Sequence, residues 1–162
     1  MSLSSPRTIS IIKACASLLL CAALCACDPI FGMSRSALLS TEPDFTCVQR
    51  VLEQTPGIAQ VKVYPRYTRD LLFESQDSIS QSLGFDGTPG SNIGGIVAIN
   101  RYRGQWSYAG HDTWIRQPPP QAHIDATRPV LKLLEVRLAE QCGLTELKTG
   151  IKESCTRVSC TG

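Results

Sequence analysis

The chain has 162 residues at 43% hydrophobic, 19% charged and 6% aromatic composition, which suits one globular domain and excludes a wholly disordered chain. Ten Pro and 12 Gly are too few for a fibrous repeat. A formal net charge of +2 excludes the basic footprint of a nucleic-acid binder; Arg7 and Lys13 account for all of it, because 14 basic residues face 14 acidic ones beyond them (16 minus 2 against 14).

The chain opens with two cations and no acid, and Ala14 to Ala26 is then a charge-free, mostly apolar run. As a helix that run rises roughly 20 Å, against a hydrocarbon core of about 30 Å, so it is too short to span a membrane. A basic start, a short apolar stretch and small residues at its end describe a secretory signal peptide over residues 1–26. Asp28-Pro29 stops any helical continuation.

The end of the run, Leu24-Cys25-Ala26-Cys27, resembles the lipobox of bacterial lipoproteins, in which Leu, a small residue and then Gly or Ala precede a Cys. The resemblance covers residues 1–27 alone. It implies a diacylglyceryl group on the Cys27 thiol, cleavage between Ala26 and Cys27, and acylation of the new amino terminus. Cys25 stands where Ala or Ser is usual, but Cys21 and Cys25 themselves each follow a Leu where the pattern needs a small residue. Each buried methylene contributes about 0.8 kcal/mol, and one chain anchors only marginally, so two or three chains on Cys27 would hold the protein at a membrane. Asp28 resembles the inner-membrane retention signal of enterobacterial lipoproteins. The expected location is the periplasmic face of a bacterial membrane, with the inner membrane favoured.

Residues 27–40 read as a tether, and residues 41–162 as a single domain. Thr41 is placed to cap a first helix, with Pro43 in its first turn and Asp44 beside its exposed amides. Phe45, Val48, Val51 and Leu52 recur at helical spacing near Cys47, and Thr55-Pro56-Gly57 ends the helix. A strand is predicted over Ile58–Tyr64, a turn over Arg66–Asp70 and a short strand over Leu71–Glu74. Ser75 to Ile93 is polar and glycine-rich and reads as a long loop. Gly95–Tyr102 and Gln105–Gly110 form a predicted β-hairpin about Arg103-Gly104. Gln117 to Gln121 carries three prolines and reads as a stiff connector. A second helix is predicted from a cap at Asp125 to Cys142, with Val130, Leu131, Leu134 and Leu138 as its apolar stripe, Pro129 in its first turn and Gly143 just past its end. This order predicts an α+β fold: a small antiparallel sheet with two helices packed on one face, stapled by disulfides.

Of eight Cys, three leave with the signal and Cys27 takes the lipid, so Cys47, Cys142, Cys155 and Cys160 remain. An even number in an exported chain implies two disulfides, with three possible connectivities. The favoured pairing is Cys47 with Cys142, joining the two helices, and Cys155 with Cys160, closing a small C-terminal loop. The competing reading is a metal site built from these Cys with His111 and His123. No CxxC or HExxH occurs, and an oxidising compartment favours disulfides, so neither metal nor other cofactor is expected.

No GxSxG surrounds a serine, and the glycine-rich Gly87–Gly95 segment lacks the Gly-Lys-Ser/Thr ending of a phosphate loop. The most suggestive cluster is aromatic and basic: Arg101, Tyr102, Arg103, Trp106, Tyr108, Trp114 and Arg116. With Tyr102, Trp106 and Tyr108 on one hairpin face it would make a platform for a glycan or a protein partner. With Trp106 and Tyr108 under the helices it is simply core, and that is the favoured arrangement. The function expected from these features is binding: a lipid-anchored accessory or adaptor module with an envelope protein or glycan as partner. An envelope enzyme acting on peptidoglycan or glycan through His111, Asp112 or Glu74 is the competing class. A third reading is an inhibitor presenting the loop 84–95.

Overall fold

The structure, a computed structural model, describes residues 30–70, 77–115 and 117–158. Cys27 with the lipobox, the expected strand at 71–74 with Glu74, Arg116 and Cys160 lie outside them. Among the described residues, strands β1 (Ile30–Leu39), β2 (Gln60–Val63), β3 (Tyr67–Asp70), β4 (Asp77–Asp86), β5 (Gly94–Tyr102), β6 (Gln105–Ile115) and β7 (Lys152–Thr156) make one seven-stranded antiparallel sheet. Its order is β2-β4-β5-β6-β1-β7, and β3 pairs with the first half of β4 while β2 pairs with the second. Two helices, α1 (Phe45–Glu53) and α2 (Gln121–Gln141), join it, so the fold is α+β as the sequence predicts. Among the described residues, no helix is long and apolar enough to cross a membrane.

The helical stripes fall where periodicity puts them. Val48, Val51 and Leu52 of α1 and Leu131, Leu134 and Leu138 of α2 are fully buried. They pack with Met33, Ala37 and Leu39 of β1, Leu83 and Phe85 of β4, Val97 and Ile99 of β5, and Tyr108 of β6. These strand residues alternate, so one sheet face meets the core while the other carries Ser34, Ser36, Ser82, Ala98, Ser107 and Ala109.

Four expectations are corrected. Residues 30–39 are no tether: β1 lies inside the sheet, between β6 and β7. Its inward alternation Met33-x-Arg35-x-Ala37-x-Leu39 contains a charge, which hid the strand. Arg35 is only 8% exposed and is held by the chain itself. Its Nε donates to Glu135 Oε1 at 2.8 Å and its Nη2 to Glu135 Oε2 at 2.7 Å, while Nη1 pairs with Glu153 of β7. Arg128 of α2 adds a contact to Glu153 at 3.3 Å. Second, the expected turn at 66–70 contains β3, and the expected loop 75–93 contains β4. In β4 the polar Ser78, Ser80 and Ser82 face away from the core, while Leu83 and Phe85 reach it.

Third, α1 is capped by Asp44 rather than Thr41: Asp44 Oδ1 accepts from the Thr46 amide at 2.9 Å. Fourth, α2 begins at Gln121, so Asp125 and Pro129 lie within it. The early start is a tertiary effect. Ile124 is fully buried, and Thr127 Oγ1 lies 3.2 Å from both the amide and the carbonyl of Gly94. The chain leaves α2 through Gly143 (φ +71°), as the sequence predicts. A 3-10 helix (Thr145–Lys148) and β7 follow, neither of them foreseen.

Cys47 of α1 and Cys142, which caps α2, form the expected helix-to-helix disulfide, with Cα atoms 5.8 Å apart. Cys155 is also disulfide-bonded. The 95-residue separation of Cys47 and Cys142 makes their bond a strong constraint on the unfolded chain. Replacing both by Ala is expected to cost about 2–5 kcal/mol, read as a lower urea midpoint under non-reducing conditions. An unchanged midpoint would remove the disulfide from the list of stabilising features.

Candidate functional site

The β5–β6 hairpin turns tightly at Arg103 (φ +50°) and Gly104 (φ +77°), the two positive angles of a two-residue hairpin turn. This turn sets the register: Arg101 lies opposite Trp106, and Tyr102 opposite Gln105. Alternation then divides the aromatic–basic cluster. Arg101, Trp106 and Tyr108 face the helices; Tyr102 faces the other way, half-exposed. Tyr108 is completely buried and belongs to the core. The platform of Tyr102, Trp106 and Tyr108 therefore does not assemble. Arg103 stands over the Tyr102 ring at 5.3 Å, and Arg101 over the Trp106 ring at 5.9 Å. Trp114 lies in β6 opposite Phe31, and its side chain is outside the described residues.

Trp106 is only partly buried, because the sheet continues past the first turn of α1. There a cavity of about 260 Å³ opens between Pro43, Asp44 and Phe45 on the helix side and Ile79, Gln81, Ile99 and Trp106 on the sheet. Glu42 and Arg66 form its rim, 3.6 Å apart. The capping bond of Asp44 fixes the helical wall, and the disulfide anchors α1 one residue beyond Thr46. The site thus sets aromatic and aliphatic side chains beside an amide, two carboxylates and a guanidinium. Sequence reasoning found Trp106, with Arg101 over its ring, but missed Ile79, Gln81, Phe45, Glu42 and Arg66. The alternation of Ile79, Leu83 and Phe85 was the available signal for a strand there. A wider depression of about 600 Å³ is lined by Ser36, Leu38, Ser107 and Ala109 of the opposite sheet face together with Glu146, Thr149 and Gly150 from the segment after α2.

The candidate acid–base residues are separated. His111 and Asp112 point to opposite faces of β6, as adjacent strand residues must. Asp112 instead meets His123 from the first turn of α2, with Nε2 to Oδ1 at 3.0 Å. The His123 ring lies beside Gly94, where a Cβ would come within 3.4 Å of its Cε1 and 3.1 Å of Asp86 Oδ1. With Thr127 on the Gly94 backbone, this pair fixes the start of α2 against β5 and β6. His123 is therefore not the surface loop residue that its neighbouring prolines suggest. On the other face, burial lowers the pKa of His111, with Asp112 opposing the shift. The loop that the sequence suggests over 84–95 reduces to residues between β4 and β5, closed by the Gly87 amide donating to the Ile93 carbonyl at 2.9 Å.

Among the described residues, no group of three His, Cys, Asp or Glu side chains is arranged to hold a metal ion. Comparison of the chain with family models, with curated proteins and with solved structures finds no match in any of the three.

Proposed function

We propose that this chain is an exported protein anchored to a bacterial membrane through lipid on Cys27, acting on the periplasmic side as a binding or accessory module. The observation that carries the proposal is the lipobox-like Leu24-Cys25-Ala26-Cys27 at the end of a short apolar run, followed by a domain with oxidised cysteines. Asp28 favours retention at the inner membrane. Binding is preferred to catalysis because the Trp106 cavity offers a formed floor and rim, whereas His111 and Asp112 are divided between the two faces of the sheet.

The test is Cys27→Ala expressed beside the wild type in a Gram-negative host with labelled palmitate. The wild type is expected to take up label and sediment with membranes. The variant is expected to remain at precursor size, or to lose label and anchoring together. Mature-sized variant protein that still requires detergent for release would refute the proposal.

A further inference from the structure

Building on the Trp106 cavity as the binding site, we infer that its occupant is an uncharged sugar ring of an oligosaccharide. A pyranose has one apolar C–H face and a circumference of hydroxyls, each both donor and acceptor. The cavity mirrors that division. The Trp106 indole and the Ile79 side chain supply apolar surface, and Gln81 presents a carboxamide able to donate and accept beside it. At about 260 Å³ the space is smaller than the roughly 300–1,000 Å³ of pockets that engulf drug-sized ligands, and suits one ring with its neighbours running outward.

Charge decides against an anionic occupant. Glu42 lies 3.6 Å from Arg66, Asp44 receives the Thr46 amide, and the Arg101 guanidinium lies over the Trp106 ring. Of the residues that line the cavity, Glu42 and Asp44 are acids and only Arg66 is a base, so an anion entering it meets an excess of negative charge. A hydroxylated neutral ring uses the lone pairs and N–H groups that these pairings leave over. Because the wall is fixed by a cap and a disulfide, little ordering accompanies binding.

The experiment uses the full chain in a detergent without sugar headgroups, on a Trp114→Phe background that leaves Trp106 as the sole indole of the chain's two. Chitotriose, cellotriose and maltotriose are titrated against its fluorescence, with trigalacturonate as the anionic counterpart. At least one neutral trisaccharide is expected to shift the emission saturably, with a Kd of about 0.1–10 mM that is insensitive to salt. Gln81→Ala is expected to weaken that Kd about tenfold while leaving the urea midpoint in place. Trp106→Ala, followed by calorimetry, is expected to abolish binding. No saturable response to any neutral sugar, a response to trigalacturonate alone, or a Gln81→Ala variant that binds undiminished would each overturn the inference. Failure here with Cys27-dependent anchoring intact overturns the sugar alone, and loss of anchoring with sugar binding intact overturns the envelope reading alone.

Discussion

Replacing Arg35 by Ala is expected to cost about 3–5 kcal/mol, a large share of the roughly 5–15 kcal/mol that holds a domain folded. The guanidinium engages Glu135 through two nitrogens and reaches Glu153 with a third. Glu135 is itself 3% exposed, so truncating Arg35 leaves a carboxylate buried without its principal cation. The effect carries a pH signature. Burial raises the Glu135 pKa, and Arg35 opposes that shift, so removing Arg35 raises it further. A carboxyl whose folded pKa exceeds its unfolded value favours folding at low pH and loses that contribution as pH rises through the folded pKa. The deficit of Arg35→Ala relative to wild type should therefore be largest near neutrality and shrink toward about pH 5. Urea denaturation at both ends of that range measures it. A deficit that does not change with pH would mean that Glu135 is not its source.

Leu134→Ala is expected to cost about 2–5 kcal/mol through lost burial and the cavity left behind. Leu134 is fully buried, one turn from both Val130 and Leu138 on the α2 face that meets the sheet. Lys132, two residues away on the same helix, is exposed, and Lys132→Ala should change stability by only a few tenths of a kcal/mol. Small and equal effects at the two positions would mean that α2 does not seal the core.

The contrast between these sites explains what could be read from the sequence. Leu134 belongs to a stripe that repeats every three or four residues, a pattern only a packed helix needs, so α1, α2 and their disulfide were legible. The β5–β6 hairpin was legible because Arg103-Gly104 separates two apolar runs. Arg35 broke the alternation of β1 with a charge whose partners lie on α2 and β7, far along the chain. β3, β4 and β7 are polar over much of their length, and their strand character rests on neighbours supplied by distant segments. The candidate site was half legible for the same reason. Trp106 and Arg101 share one hairpin, whereas Phe45, Gln81 and Arg66 reach the cavity from three other segments.

The position of β1 also governs when the sheet can be completed. It enters the chain first, yet its partners are residues 106–115 on one side and 152–156 on the other. Until those segments arrive, β1 has no neighbour, and among the described strands only β2, β3, β4 and β5 can pair with one another. Contacts this distant in sequence slow folding, because chain closure precedes any gain from pairing. On the proposed export route that delay is useful: β1 stays unpaired while the chain threads through a membrane pore, until residues 106–115 follow it out.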